Sequence, residues 1–315
     1  MFGIVTKRVV GVLMAASGLL PVSVWAGGAA TKPAPASADF RPRVAVQTYV
    51  WAQDRAAKKL DFWADLGNVF IEVAASGATH VEGFLDWFDT DAKAHRAQEL
   101  LKQHALTLVG AYAGGVFHEE AEARKTIDVI LKQADRAKQR CGKIFIDVNP
   151  QPLPNRAAKS EAQLAVQVAM LNLLGHKLAD KGMSLVVHQH DAEILNDAKE
   201  LRYHIAHLEA KVVGLCLDTH WVYRGGQDPL TLLMEAGRKV RVLHLRNSVN
   251  GIWTESLGPG DVDYAAIANH LRQSGYNGWL IIELAYEQGT KVTRPLSENV
   301  KSSRHYLEQV FIKGS

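Results

Sequence analysis

Short apolar runs that each end in a polar residue, repeated along the chain, constrain its fold more than any other feature. Leu185-Val186-Val187 leads into His188, and Leu215-Cys216-Leu217 into Asp218. Arg241-Val242-Leu243 leads into His244, and Leu280-Ile281-Ile282 into Glu283. Short apolar runs bounded by polar residues read as buried strands of the kind found in parallel sheets. From Arg43 onward such strands alternate with helical patterns. Strands are predicted at Val44–Tyr49, His80–Leu85, Thr107–Tyr112, Lys143–Val148, Ser184–His188, Val212–Leu217, Lys239–Leu245 and Trp279–Glu283. Helical spacing falls at Lys58–Ser76, Ala92–Gln103, Glu119–Gln139, Ser160–Lys181, Ala192–His207, Pro229–Ala236, Tyr264–Ser274 and Leu296–Val310.

Eight such strands with their helices in about 270 residues match a single-domain (β/α)8 TIM barrel. An open doubly wound sheet is the competing architecture. It ordinarily carries a glycine-rich loop after its first strand, and Val50-Trp51-Ala52-Gln53 holds no glycine. In a barrel the C-terminal strand ends share one rim. His188, Asp218, His244 and Glu283 are therefore expected to meet there, as a donor set for one divalent cation. Gln47, Glu82, Asp86, Asp147 and Asn149, on or near the ends of the first, second and fourth strands, are expected to face the same rim.

The N-terminus has a different character. Met1–Arg8 is short and basic, Val9–Leu20 is apolar, and Val24-Trp25-Ala26 resembles a signal-peptidase site. Residues 1–26 are expected to be a signal peptide and 27–42 a flexible spacer rich in Ala, Gly, Pro and Ser, leaving 43–315 as the barrel. The apolar run is short and interrupted for a membrane span. A periplasmic or secreted protein with no lasting membrane anchor is expected, by Sec-type export ahead of the twin-arginine route, since the basic pair is Lys7-Arg8. The formal charge of +3 includes that pair. No basic face remains for a polyanion, which argues against nucleic acid as a partner. The two cysteines, Cys141 and Cys216, are too few for a disulfide framework or a thiolate zinc cluster, and are read as buried free thiols.

The stretch LGPGDVDYAAIANHLRQSGYNGWLIIELAYE, residues 257–287, carries a specific resemblance. Its Gly-x-Gly-Asp-Val-Asp segment, helix, Gly-Tyr-x-Gly turn and Ile-Glu strand end resemble the sugar phosphate isomerase/epimerase family. These are the xylose isomerase-like TIM barrels, which also include endonuclease IV-type nucleases. Val44–Tyr49 and Gly77-Ala78-Thr79-His80-Val81-Glu82 fit the same pattern, so the resemblance runs over essentially all of 44–310. It implies one divalent metal ion held by Glu, Asp, His and Glu from strands five to eight. Asp218, His244 and Glu283 take the last three positions. The first departs, because His188-Gln189-His190-Asp191-Ala192-Glu193 stands where the family commonly has Glu. A branch of the family carries such a His-x-His-Asp-x-Glu segment. Ligands of this kind do not separate Mn, Co, Zn, Fe and Mg.

The resemblance implies a metal-dependent sugar isomerase or epimerase that abstracts a proton next to a bound carbonyl or hydroxyl. Such enzymes use two glutamates as acid/base groups on opposite faces of the sugar. Replacing one by imidazole removes a base and leaves Glu283 as the best candidate, with His190, Glu193 or His220 as stand-ins for the second. Elimination from a keto-sugar or keto-glycoside by a lyase or dehydratase needs one base fewer, and competes with isomerisation. A sugar-binding barrel without catalysis is a further alternative. The expected substrate is a small, non-phosphorylated sugar, since export and the absence of a phosphate cradle argue against a sugar phosphate. Glu82, His220, Arg246, Trp51 and Asn149 are expected substrate contacts. Trp87, Trp221 and Trp253 join Trp51 in presumed rim loops whose aromatic faces suit sugar rings.

Overall fold

The computed structural model describes residues 37–314. The strands are β1 (Arg43–Gln47), β2 (His80–Phe84), β3 (Thr107–Gly115), β4 (Phe145–Pro150), β5 (Ser184–His188), β6 (Val213–Asp218), β7 (Val240–Leu245), a hairpin of β8 (Ser248–Val249) and β9 (Ile252–Trp253), and β10 (Trp279–Ile282). The strands other than the hairpin close in the order β1-β10-β7-β6-β5-β4-β3-β2, every neighbouring pair parallel. This is the TIM barrel that the alternating pattern predicts. The helices are α1 (Tyr49–Ala57), α2 (Leu66–Ala75), α3 (Asp91–Gln103), α4 (Glu120–Cys141), α5 (Glu161–Asp180), α6 (Leu195–His207), α7 (Thr219–Arg224), α8 (Pro229–Ala236), α9 (Tyr264–Ser274) and α10 (Leu296–Leu307).

Two apolar cores result. One fills the shell between strands and helices. The other is a small cluster inside the barrel: Ala45, Val109, Phe145, Val186, Cys216, Val242 and Ile281. Side chains along a strand alternate faces, so a residue two positions further on also points inward. Two positions beyond six of those seven come Gln47, Asp147, His188, Asp218, His244 and Glu283. The barrel interior therefore changes from apolar to polar within one layer, towards the rim where TIM barrels carry their sites.

Local signals place the helices. Ser160 caps α5 in a reciprocal box with Gln163, and Asp263 caps α9 through the Ala266 N–H. Several predicted boundaries shift. The helix expected at 58–76 is two helices, and the first begins at Tyr49, directly after β1. Arg55 pins them together through Asp54, Asp65 and Glu72, at 2.6–2.8 Å. The expected helix 192–207 opens with a 3-10 turn at Ala192–Ile194, and its regular turns follow Asn196, Asp197 and Ala198, all at positive φ. The β8–β9 hairpin was not anticipated. Asp261 of the Gly-x-Gly-Asp-Val-Asp segment holds it by accepting from the Asn250 and Gly251 N–H groups and the Ser248 hydroxyl.

The expected signal peptide and residues 27–36 of the expected spacer lie outside the described residues. Residues 37–42 pack on the barrel instead of trailing from it: the Ser37 N–H donates to the Arg272 carbonyl and the Arg41 N–H to that of Tyr276. Both cysteines are free; Cys216 is buried and Cys141 only partly so, which corrects the expectation of two buried thiols. Among the described residues, no helix is long and apolar enough to cross a membrane.

Candidate active site

The strand ends bring His188, Asp218, His244 and Glu283 together, with one ligand atom from each lying within 4.8 Å of the others. All four are buried. His244 stands at the centre. Its Nδ1 lies 3.0 Å from Glu283 Oε2, and its Nε2 lies 2.7 Å from Glu82 Oε2. Arg246, two residues on along the same inward face, forks between two of the acids. It donates to Asp218 Oδ2 and Glu283 Oε2 at 2.9 Å each. Its guanidinium is enclosed by Trp221 and Trp253, with ring centroids 5.1 and 4.9 Å away. The other Asp218 oxygen caps α7 by accepting from the N–H groups of His220 and Trp221.

Burial without full compensation governs the protonation of this layer. Burial pushes Glu82 up to about 7 against the pull of His244. Asp147 is likewise pushed up to about 7 by burial, against the pull of His244 and helped by Glu283. Burial also raises Asp218, opposed by Arg246. Glu283 moves the other way: burial would raise it, but Arg246 and His244 hold its carboxylate well below the usual range. Burial would depress His244, yet Cys216, Glu82 and Glu283 keep its imidazolium well above the ordinary range. His188 and His190 are both held down to about 3, first by burial and then by the neighbouring imidazole.

The residues fit a divalent cation. Among the described residues, Glu82, Asp147, Asp218 and Glu283 are four buried carboxylates whose charged partners are Arg246 and His244, with the neutral His188 also beside Asp147. With all four ionised and His244 protonated, two negative charges remain uncompensated in a buried layer, and burying unpaired charge is costly. His188 Nε2, Glu82 Oε1 and both Asp147 oxygens are buried without a well-formed hydrogen bond. Orphaned donor atoms beside excess negative charge are what a metal ion would satisfy.

The remaining predicted site residues fall in several places. His190 is partly exposed at the mouth, its ring 4.8 Å from His188 and 5.6 Å from Trp221. Glu193 is buried beneath it, and its Oε2 accepts from the His190 N–H at 2.9 Å. Burial and nearby Glu200 push Glu193 up to about 7. Asn149 donates to the His188 carbonyl at 3.2 Å and so steadies the end of β5. His220 is buried, with Nε2 2.8 Å from the Ser248 hydroxyl, which ties α7 to the hairpin. Trp51 is a correction. It lies in α1 and not in a rim loop, it is fully buried, and its indole N–H donates to Glu72 of α2 at 2.9 Å. Trp87 follows β2 in a 3-10 turn but offers no open face: it is buried, its ring 2.3 Å from where a Cβ on Gly83 would lie. Asp86 is beyond the end of β2, in a 3-10 turn. Asp147 and Cys216 belong to the polar cluster more closely than the sequence reading placed them. The sequence pattern sets Asp147 only among the rim-facing residues and Cys216 within an apolar strand. The signal for both was strand alternation: Asp147 is two before Asn149, and Cys216 two before Asp218.

The chain matches the family described as xylose isomerase-like TIM barrel over residues 64–310. An inosose dehydratase from Clostridium botulinum (strain Alaska E43 / Type E3) is 27% identical over 160 residues, covering 45% of this chain and 53% of that protein. The chain thus spans about half the length of the first curated relatives it matches. Among solved structures, a sugar phosphate isomerase/epimerase from Parabacteroides distasonis ATCC 8503 superposes with a TM-score of 0.66 at 17% identity, covering 92% of this chain and 98% of the other. The 3-keto-D-glucoside 4-epimerase YcjR from E. coli superposes with a TM-score of 0.64 at 14% identity, covering 85% and 99%. At these identities the two structures speak for the fold alone.

Proposed function

Because the chain belongs to the xylose isomerase-like TIM barrel family, we propose that it is a divalent-metal-dependent carbon–oxygen lyase that eliminates water or an alcohol from a keto-sugar or keto-glycoside. The observation that carries this reading is the asymmetry of the polar layer. One carboxylate, Glu283, is held ionised beside Arg246, and the facing position on β5 is His188 where a second carboxylate would otherwise stand. The dehydratase named among the relatives supports elimination.

A divalent ion held by His188, Asp218, His244 and Glu283 would polarise a carbonyl or hydroxyl of the substrate. The protein's own groups do the rest. Glu283 accepts the proton from the carbon next to the keto group. The bond electrons form the new C=C bond as the C–O bond one carbon further on breaks. The leaving oxygen departs with a proton, giving an unsaturated ketone. Arg246 holds Glu283 as a carboxylate and fixes its Oε2, so the acceptor is charged and positioned before the C–H bond breaks. The proton that Glu283 has taken up is then available to the leaving oxygen, and His190 is the neutral imidazole that can relay it. Trp221 and Trp253 flank the Arg246 guanidinium.

The epimerases among solved neighbours favour a second reading, isomerisation or epimerisation at the same centre. That reaction needs a second base on the opposite sugar face, and His190 is the group nearest the mouth to serve. The export-like residues 1–26 extend either reading to a non-phosphorylated sugar outside the cytoplasm.

Incubation of the manganese-loaded protein with a 3-keto-glycoside in deuterated water separates the two. Release of the aglycone with growth of the enone absorbance is the expected result. Deuterium entry at the adjacent carbon without loss of the aglycone would overturn elimination in favour of epimerisation.

A further inference from the structure

We propose that the barrel contains a second cation seat, displaced from the first towards Cys216, built from Asp147, His188, Cys216 and His244 and suited to a soft divalent ion such as zinc. The proposal rests on the metal-dependent reading only through the two histidines that the seats share.

The ligand atoms of this set also lie within 4.8 Å of one another, and all four residues are buried. His188 presents Nδ1 to the lower seat, 3.4 Å from Asp147 Oδ2 and 3.5 Å from Cys216 Sγ, while its Nε2 has no partner. His244 Nε2 lies 3.9 Å from Asp147 Oδ2, so one nitrogen of each histidine borders the same space. Asp147 is the decisive residue. It is fully buried, and neither of its oxygens makes a well-formed hydrogen bond. A carboxylate left this way in a dry interior normally has a cation or a proton to answer it.

Charge distribution points downward too. Arg246 pairs with the upper acids, Asp218 and Glu283. No guanidinium or ammonium contacts Glu82 or Asp147 among the described residues; Glu82 pairs with His244, and Asp147 borders His188, His244, Glu82 and Cys216. A cation on the side of Cys216 would therefore meet carboxylates that no guanidinium or ammonium contacts. Two imidazoles, one carboxylate and one thiolate make a four-donor set of the kind tetrahedral zinc takes, and sulfur biases it towards soft ions over Mn or Mg. Binding there expels the Cys216 proton to solvent as the ion takes the thiolate. Because His188 and His244 serve both seats, a soft ion below and a hard ion above exclude each other. Zinc would then displace manganese instead of replacing it in kind.

Two measurements on the full chain test this. Zinc-edge anomalous diffraction from wild-type crystals is expected to give a peak about 2.3 Å from Cys216 Sγ. Cobalt titration in solution is expected to raise a near-ultraviolet thiolate-to-cobalt band that disappears in Cys216→Ser. Manganese, by contrast, should give its anomalous peak among Asp218, Glu283 and the histidines. Zinc found only with manganese in the upper set, with no thiolate band, overturns the lower seat and leaves the proposed function standing. No anomalous peak for either ion inside the barrel overturns both. The wild-type diffraction result needs no variant, so a Cys216→Ser protein that fails to fold does not rescue the proposal.

Discussion

Two successive layers inside one barrel have opposite characters. Below lie Ala45, Val109, Phe145, Val186, Val242 and Ile281, with Cys216 among them. Above, one strand pleat away, lie Gln47, Glu82, Asp147, His188, Asp218, His244 and Glu283, all buried. The lower layer gains stability from removing apolar area from water, about 25 cal/mol per Å². The upper layer pays desolvation for every charge it holds and is not assembled for stability. The contrast teaches that the same strands, at alternate positions, both hold the barrel shut and concentrate charge where a cation and a substrate can answer it.

The largest expected effect breaks the upper layer's chemistry without touching the lower. Glu283→Gln keeps the shape but removes the proton acceptor. Turnover of a keto-glycoside by the metal-loaded protein should fall by roughly 10²–10⁴-fold, with thermal unfolding little changed. Unaltered turnover would remove Glu283 from the reaction.

The converse substitution works on the lower layer. Phe145→Ala opens a cavity where the ring covers Gly110, at 2.1 Å from the position of a Cβ. It should cost about 3–5 kcal/mol in denaturant unfolding, with turnover per folded molecule far less affected than in Glu283→Gln. Equal losses in both assays would mean that the layers do not divide the work.

A smaller effect lies outside the barrel, in the helical shell. His204 of α6 is buried against Gln167, Nε2 to Nε2 2.8 Å, and burial holds it down to about 4 from 6.5. Its native pKa is below its unfolded one, so the unfolded chain binds more protons between those values. Its contribution is intact above pH 6.5 and is lost as the pH falls towards about 4. Urea midpoints measured across that window should drop with acid, and His204→Gln should flatten part of the slope. An unchanged slope would place the acid sensitivity elsewhere.

The smallest expected effect concerns Trp51. Trp51→Phe removes the bond to Glu72 and should cost about 1 kcal/mol of stability, leaving turnover within roughly twofold. A large rise in KM would return Trp51 to the substrate.

The strands and the four converging ends were legible because apolar runs with polar ends follow from parallel strands buried on both faces. His188, Asp218, His244 and Glu283 needed only the barrel's rim to bring them together. The failures have a common physical source. Trp51 and Trp87 sit right after strand ends, where local sequence does not say whether a helix begins at once or a loop intervenes. α1 beginning at Tyr49 and Gly83 leaving room for an indole decided both. The hairpin depends on Asp261 reaching back to Ser248, Asn250 and Gly251, a contact between distant parts of a loop. Arg246 was legible as a rim residue, but its fork between Asp218 and Glu283 depends on three strands at once. Asp147 and Cys216 acquire meaning only beside His188, when strand register sets β4, β5 and β6 side by side.

The central claim is that the buried carboxylates of the upper layer exist to hold a divalent cation. Manganese-edge anomalous diffraction from crystals equilibrated with excess manganese tests it most directly. The account predicts one strong peak bounded by His188, Asp218, His244 and Glu283, with Arg246 drawn off at least one of its two carboxylates. An empty position with Arg246 still clamped between Asp218 and Glu283 would contradict it.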